Sequence, residues 1–305
     1  MYAQARANRN RNKNGEHSDD DLETGGPHNS GVKEKGRPEE NEMTESVKLS
    51  NDGGVATVMF NRPDAFNAFD QGMVVLLAES LTLLAVDDSV SAVVISGEGK
   101  AFCAGGDLRS ILSFPYGPAA GLYKLAASFH QAIVEIRRMK KPVIAAINGI
   151  AAGGGFSMAL AWDFRVMAQS AVLRQAYTSN GLSIDGGGTF TLPRILGLAR
   201  ALEIIAFDKP ISSEQALSWG MVTKVVPDGQ ALEEAYKIAH ELARGSLHSF
   251  GRCKELITNS FNTAFEAQIE LERSALSCCA DHPDGKEGLK AFMEKRKPVF
   301  TDKRN

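Results

Sequence analysis

Two glycine-rich segments, each directly after a short apolar run, constrain this chain more than any other feature of its sequence. Residues 102–108 (Phe-Cys-Ala-Gly-Gly-Asp-Leu) follow the apolar run 92–96, and residues 148–155, which end in three glycines, follow Val143–Ile147. Short apolar runs rich in β-branched residues predict buried strands. Glycine at a strand end permits positive φ and lets a ligand approach the main chain closely.

The second glycine segment leads into an apolar stretch that predicts a helix, so its N–H groups are expected at a helix N-terminus, where they favour negative charge. Two main-chain donors from separate loops can form an oxyanion hole. The alternative is that these glycines serve only tight turns and close packing. Neither segment has the spacing of a dinucleotide or P-loop motif in the required context.

Strands and helices are predicted to alternate in the first part of the folded chain. Strands are predicted at 56–60, 92–96, 143–147 and 164–168, and helices at 71–84 and 123–139. Residues 110–123, which contain two prolines and two glycines, are predicted to be a loop. Later helices are predicted at 199–207, 213–219, 232–244, 249–259, 263–278 and 286–295. This order indicates an α/β core followed by a helical C-terminal region.

Residues 1–46 are polar and contain almost no large aliphatic side chains. Such a segment cannot bury enough apolar surface to offset its ordering entropy, so it is predicted to be a disordered extension. Its opening is basic, which leaves a mitochondrial matrix location as the less favoured alternative to a cytoplasmic one. Met43 as the true start of translation is a further alternative.

Charge and cysteine content exclude several classes of protein. The chain has 34 Lys and Arg against 37 Asp and Glu, a net charge of −3, which argues against a dedicated nucleic-acid binder. Its apolar runs are too short for a membrane span, for which about 18–20 residues are needed. Four cysteines in 305 residues do not make a disulfide framework, so reduced thiols and a cytoplasmic location are expected. Their spacing predicts no metal site.

Several motifs follow one another along the chain: Asn61-Arg62-Pro63 with Asn67-Ala68-Phe69, the two glycine segments, Asp185-Gly186-Gly187-Gly188-Thr189, Leu192-Pro193-Arg194, and the ending over 287–298. With these motifs in this order, the sequence resembles the crotonase superfamily, also called the enoyl-CoA hydratase/isomerase family.

The resemblance implies a spiral of ββα units over 47–245 and a helical trimerisation region over 246–305. It also implies a homotrimer or a dimer of trimers. The implied substrate is an acyl-CoA thioester, with CoA as part of the substrate and no further cofactor. The family's two oxyanion-hole donors fall on the main chain of Gly106 and Gly154.

The acid–base positions distinguish reactions within this family. Hydratases carry two glutamates, whose positions here are Ser157 and Tyr177, so the usual hydratase mechanism lacks its carboxylates. Asp185 matches the single acid of the Δ3,Δ2-enoyl-CoA isomerases, which predicts a double-bond-shifting isomerase. The structural alternative for Asp185 is a helix or turn cap. Tyr177 is expected either to hydrogen-bond the substrate or Asp185, or to line the acyl pocket.

The remaining site predictions also follow from the resemblance. His130 is either structural or a counterpart of the histidine of aryl-CoA dehalogenases. Ser157 is expected mainly to fill the former glutamate position. Residues expected near CoA are Arg62, Ala68, Ala104, Asp107, Leu108 and Arg109.

Three alternatives to the isomerase stay open. One is a hydratase with atypical groups. Another is a hydrolytic aryl-CoA dehalogenase. Tyr177 argues against this alternative, because those relatives carry tryptophan at that position. The third is a non-catalytic acyl-CoA-binding or RNA-binding relative, which the negative net charge and the retained Asp185 disfavour.

Overall fold

Residues 45–300, which the computed structural model describes, form ten strands and eleven α-helices. The strands are β1 (Val47–Asp52), β2 (Val55–Phe60), β3 (Ala92–Gly97), β4 (Ala101–Cys103), β5 (Val143–Ile147), β6 (Ile150–Ala152), β7 (Phe164–Ala168), β8 (Val172–Arg174), β9 (Ile211–Ser212) and β10 (Lys224–Val226). The helices are α1 (Gln71–Val86), α2 (Leu108–Leu112), α3 (Pro118–Arg138), α4 (Gly154–Leu160), α5 (Gly188–Leu196), α6 (Leu198–Phe207), α7 (Ser213–Ser218), α8 (Ala231–Ala243), α9 (Leu247–Ser260), α10 (Phe265–Asp281) and α11 (Pro283–Met293).

The strands form two sheets. The larger has the order β1-β2-β3-β5-β7-β10, in which only the β1–β2 pair is antiparallel. Every residue of β3 and β5 is buried, as is typical of central parallel strands, and α8 packs against both of them. The smaller sheet has the order β4-β6-β8-β9.

Successive strand pairs divide between the two sheets. Strands β3, β5 and β7 join the larger sheet, and β4, β6 and β8, which follow them, join the smaller one. Each turn of the chain therefore adds one strand to each layer, which is the spiral of ββα units that the resemblance implies. The fold class predicted from the sequence is confirmed.

Helices α1 and α3 pack against each other beside the larger sheet. The first turn of α1 is capped by Asp70, whose side chain accepts a 2.8 Å hydrogen bond from the Met73 N–H. Its buried face includes Met73, Leu77 and Leu81, in keeping with the predicted helical period. On α3 the buried residues include Phe129, which reaches the candidate site described below.

Some predictions of local structure are wrong. The loop expected over 110–123 contains the end of α2 and the start of α3, because Pro118 occupies the first turn of α3, where its missing N–H costs nothing. Helix α5 was not predicted, because it contains Pro193 in its interior. Strand β1 was also missed, since only Val47 of its six residues is buried.

The last three helices, α9 to α11, form the C-terminal helical region. Helix α10 has no buried residue along its 17 positions. The predicted disordered extension lies outside the described residues, apart from its last two positions, 45 and 46. Within residues 45–300, no helix combines the length and apolar character needed to cross a membrane.

Candidate active site

One small cavity brings together the four residues predicted to be catalytic. It encloses about 50 Å³ and is lined by Gly106, Gly154, Tyr177 and Asp185. The rest of its wall is apolar and comes from Phe69 and one face of α3, namely Leu122, Leu125, Ala126 and Phe129. A carboxylate, a phenol and two backbone segments thus face a mostly apolar space, where electrostatic interactions are stronger than in water.

The two glycine loops pack against each other backbone to backbone. A Cβ atom on Gly105, whose φ is +94°, would lie 3.1 Å from the nitrogen of Gly154. A Cβ atom on Gly155 would lie only 2.2 Å from the carbonyl oxygen of Cys103. Glycine is therefore required for the loops to meet, which supports the packing interpretation as well as the functional one.

The N–H groups of Gly106 and Gly154 have no acceptor in the part of the chain that the structure describes. Their neighbours are engaged, since Gly105 N donates to a cysteine sulfur at 3.4 Å and Asp107 N donates to a carbonyl at 2.7 Å. Gly153 N likewise donates to a carbonyl at 3.1 Å. An oxyanion hole needs two such unpaired donors beside one cavity, and this role of Gly106 and Gly154 stays a prediction.

Asp185 faces this cavity from a glycine loop. The next two residues, Gly186 and Gly187, have φ values of +61° and +77°, and a Cβ atom on Gly186 would lie 2.5 Å from the ring of Phe129. Helix α5, which follows, begins after Gly187 without a side-chain cap. The Asp185 carboxylate therefore does not cap this helix and is available to the cavity.

Tyr177 donates a hydrogen bond to Asp185, with 2.6 Å between its phenolic oxygen and Oδ1 of the carboxylate. Burial, and then the negative charge of Asp185, raise the pKa of the Tyr177 hydroxyl well above its ordinary value. The phenol therefore stays protonated at neutral pH and acts as a donor. The Asp185 side chain is 36% exposed, so the carboxylate is reachable from the cavity mouth.

His130 lies on the outer side of the same carboxylate. Its Nε2 atom is 3.5 Å from Oδ2 of Asp185 and accepts a 3.1 Å hydrogen bond from the N–H of Gly186. A ring nitrogen that accepts cannot carry a proton, so this arrangement assigns the proton of the neutral imidazole to Nδ1. His130 is thus tied to the Asp185 loop.

Ser157 is fully buried behind Tyr177. Its Oγ atom lies 3.4 Å from the Tyr177 hydroxyl, and a Cβ atom on Gly188 would lie 2.8 Å from the same Oγ. A contact between Ser157 and substrate stays a prediction. Of the three acid–base positions in the family pattern, Asp185 is the one that carries a carboxyl group.

The turn that presents Tyr177 is held by two residues that sequence reasoning missed. Ala176 has a φ of +52°, and its N–H donates to Oδ1 of Asp208 at 2.8 Å. The side-chain oxygen of Gln175 accepts the N–H of Tyr177 at 3.0 Å. Burial favours a raised pKa for Asp208, but hydrogen bonds from Ser179 and Ala176 outweigh it, so the pKa is lowered. The sequence signal that could have indicated Asp208 is an acidic residue directly after a predicted helix.

On the side expected to bind CoA, Arg62 already has anionic partners. Its guanidinium group lies 2.9 Å from Asp107 and 3.3 Å from Asp70, and it also donates to the carbonyl of Ala68. Burial alone would raise the pKa of Asp107, but the hydrogen bond from Arg62 and backbone donors lower it. Arg62 therefore stabilises the first glycine loop through its contact with Asp107. Its pairing with a CoA phosphate stays a prediction.

The other residues expected near CoA lie along the outer side of this loop. Ala104 N donates to the carbonyl of Phe66 at 3.0 Å, and Arg109 N donates to Asp107 at 3.1 Å as α2 begins. Leu108 is 54% exposed, and the Arg109 side chain is also exposed. These residues border open surface, and their contact with CoA stays a prediction.

The apolar wall was only partly anticipated. Leu125 and Phe129 were predicted on one apolar face of a helix, a pattern that equally describes packing against a core. Within residues 45–300, no cluster of three or more histidine, cysteine, aspartate or glutamate side chains is placed to hold a metal ion.

The chain matches one family model and several known proteins. Residues 50–303 match the family model for enoyl-CoA hydratase/isomerase. The 1,2-epoxyphenylacetyl-CoA isomerase of Escherichia coli (strain K12) is 36% identical over 262 residues, which cover 86% of this chain and 100% of that protein. The 4-chlorobenzoyl coenzyme A dehalogenase-2 of Arthrobacter sp is 34% identical over 253 residues, covering 82% and 91%.

Among solved structures, an enoyl-CoA hydratase from Polaromonas sp. JS666 has a TM-score of 0.79 and 35% identity, covering 83% of this chain and 98% of that one. The sequence motifs, the spiral fold and these matches agree with one another. The chain belongs to the enoyl-CoA hydratase/isomerase family of the crotonase superfamily and is an enzyme that acts on acyl-CoA thioesters.

Proposed function

We propose that this protein shifts a double bond in acyl-CoA thioesters, converting 3-enoyl-CoA to 2-enoyl-CoA with Asp185 as the base. The observation that carries the proposal is a single carboxylate beside two unpaired backbone donors in one cavity. A reaction that only moves a proton within the substrate needs one group to take the proton and return it.

The two donors explain why the first proton can leave. Removing a proton from C2 of the thioester produces an enolate, whose charge collects on the thioester oxygen. The N–H groups of Gly106 and Gly154 can meet that charge without reorganisation, an effect worth about 3 kcal/mol for each donor. The side chains around them then decide which bond changes.

The hydrogen bond from Tyr177 divides the roles of the two carboxylate oxygens. Because Oδ1 of Asp185 accepts the hydrogen bond from the Tyr177 hydroxyl, Oδ2 is the oxygen that takes the proton from C2 and returns it at C4. The product has the same atoms as the substrate, and Asp185 ends in its starting ionisation state. No water or further cofactor enters this reaction.

Hydration fits the cavity less well. Adding water across a double bond needs a base for the water and an acid for C2, and two carboxylates do this efficiently. Ser157 and Tyr177 stand in place of the two glutamates, and the raised pKa of Tyr177 keeps its hydroxyl protonated, so that no phenolate is available to act as a base at neutral pH.

A dehalogenase-type reaction is the second candidate. The 3.5 Å separation between His130 and Asp185 and the similarity to a 4-chlorobenzoyl-CoA dehalogenase favour it. In such a reaction the Asp185 carboxylate attacks the ring carbon and displaces halide, and His130 would have to release the N–H of Gly186 from Nε2 before that nitrogen could activate the water that cleaves the resulting ester. The tyrosine at position 177 argues against this reaction, because the dehalogenases that the sequence resembles carry tryptophan there.

Three substrates separate these reactions. With 3-enoyl-CoA an isomerase produces the conjugated thioester absorbance, and with 2-enoyl-CoA a hydratase removes it. With 4-chlorobenzoyl-CoA a dehalogenase releases chloride. We expect the first signal, its loss in Asp185→Asn, and unchanged binding of a saturated acyl-CoA by that variant. Full turnover by Asp185→Asn would refute the assigned base.

A further inference from the structure

A second cavity lies directly behind the catalytic one. It encloses about 30 Å³ and is lined by Gln71, Ser110, Ile111, Phe114, Gly121 and Leu125. Leu125 is the one residue that also lines the catalytic cavity. The Leu125 side chain therefore forms part of the partition between the two cavities.

This partition stands beside the thioester position. A Cβ atom on Gly106 would lie 3.1 Å from Cδ1 of Ile111 and 3.4 Å from Cδ2 of Leu125. These two side chains thus lie directly against the backbone that carries one of the oxyanion donors. An acyl chain that leaves the thioester in this direction meets the Leu125 side chain first.

The second cavity is lined by apolar side chains together with the polar residues Gln71 and Ser110, and its apolar part offers surface to an alkyl chain. Ile111, Phe114 and Leu125 supply apolar surface, and Gly121 allows α3 to approach α2 closely, since a Cβ atom there would lie 3.2 Å from the carbonyl oxygen of Ile111. The amide of Gln71 is already engaged by a 2.9 Å hydrogen bond to Ser128. One N–H of the Gln71 amide therefore already has a partner within the protein.

We infer that the second cavity is the distal subsite for the acyl chain and that Leu125 sets the length of chain the site accepts. With Leu125 in place, the catalytic cavity is too small for more than a short acyl group. With the Leu125 side chain shortened, the two cavities join and a longer alkyl chain extends into the second. The inference rests on the proposed function only in assuming that the thioester binds at Gly106 and Gly154.

Binding of unreactive thioesters tests this independently of turnover. The Kd of saturated acyl-CoAs from four to twelve carbons is measured by calorimetry for wild type and Leu125→Ala. Burying one methylene strengthens binding by about fourfold, so affinity rises with length until the cavity is full. We expect the length at which affinity stops rising to move outward by two or three carbons in Leu125→Ala, a gain of more than tenfold for the longer thioesters.

Matched variants separate joining the cavities from merely loosening the site. Leu122→Ala enlarges only the catalytic cavity, and we expect it to leave the limiting length within one carbon of wild type. Leu125→Phe should shorten the limit, and Leu125→Val, a milder change, keeps the test available if the alanine variant unfolds. An unchanged limit in both Leu125→Ala and Leu125→Val, or an equal shift in Leu122→Ala, would overturn the inference. Because saturated thioesters do not isomerise, failure of the proposed reaction would leave this result readable.

Discussion

The phenolic oxygen of Tyr177 lies 2.6 Å from Oδ1 of Asp185, and both side chains line the candidate catalytic cavity. The bond holds the carboxylate in one orientation, with Oδ2 left for proton transfer. A hydrogen bond to a charged group contributes about 1.5–3 kcal/mol.

Replacing Tyr177 by phenylalanine removes this bond while retaining most of the ring. We expect kcat for 3-enoyl-CoA to fall by about 10- to 100-fold with a smaller change in KM, because the carboxylate loses orientation and not its substrate contacts. Steady-state kinetics provide the measurement. An unchanged kcat would mean that the phenol serves only to line the pocket.

His130 supports the same loop from outside, through the 3.1 Å hydrogen bond from Gly186 N. In His130→Ala this N–H loses its acceptor, and we expect kcat to fall several-fold and stability to drop by about 1 kcal/mol. His130→Gln offers an acceptor oxygen and should recover part of both losses. If neither variant changes kcat, His130 has no positioning role. Loss of chloride release with retained isomerisation would instead favour its dehalogenase-type role.

The close contact between the two glycine loops predicts that adding one methyl group at Gly155 strongly destabilises the protein. Gly155→Ala places Cβ about 2.2 Å from the Cys103 carbonyl, which the backbone must move to accommodate. We expect a loss of about 3 kcal/mol in the free energy of unfolding, measured by urea denaturation. The control is Gly72→Ala in the first turn of α1, where the nearest atom is 3.5 Å away and alanine should be neutral or stabilising. Equal stability of the two variants would contradict the loop geometry.

Asp208 makes stability depend on pH. Its pKa is lowered in the folded protein, so its contribution is present above the ordinary carboxyl pKa and is lost as the pH falls through the lower folded-state value. We expect Asp208→Asn to be less stable than wild type at pH 7 and the difference to shrink below about pH 4. Chemical denaturation across this range measures it. A difference that is constant with pH would show that the carboxylate charge is not involved.

Helix α10 supports the proposal that the chain forms trimers. Phe265 and Leu276 on this helix are each 73% exposed, and Leu271 is 49% exposed, which is costly for a helix left in water. We expect Leu276→Asp to shift the mass measured by analytical ultracentrifugation from trimer or hexamer toward monomer. Glu272→Ala, on the same helix, is the control and should leave the mass unchanged. A monomeric wild type would contradict the proposal.

The sequence predicted the central strands well and the peripheral elements poorly, for physical reasons. Val143–Ile147 is apolar throughout and is found as β5 with the predicted bounds, because a strand buried on both faces needs apolar residues at every position. The edge strand β1 has five exposed residues of six and carries no such pattern.

The candidate site divides in the same way. Gly106, Gly154 and Asp185 are on motifs with a fixed local order, so their meeting in one cavity could be expected from the resemblance. The ties from Gln175 and Asp208 to the Tyr177 turn depend on positive φ at Ala176 and on contacts across the fold. Long-range hydrogen bonds of this kind leave no periodic trace along a chain.

In the proposed reaction the groups that stabilise the anion are main-chain N–H groups, which every residue except proline carries. A point mutation can exchange the acid at position 185 or the phenol at position 177, yet it cannot remove the N–H of residue 106 or 154 unless it introduces proline. A duplicated gene would therefore keep the apparatus that makes a thioester reactive while its side chains diverge. New reactions on the same substrates are then only a few substitutions away.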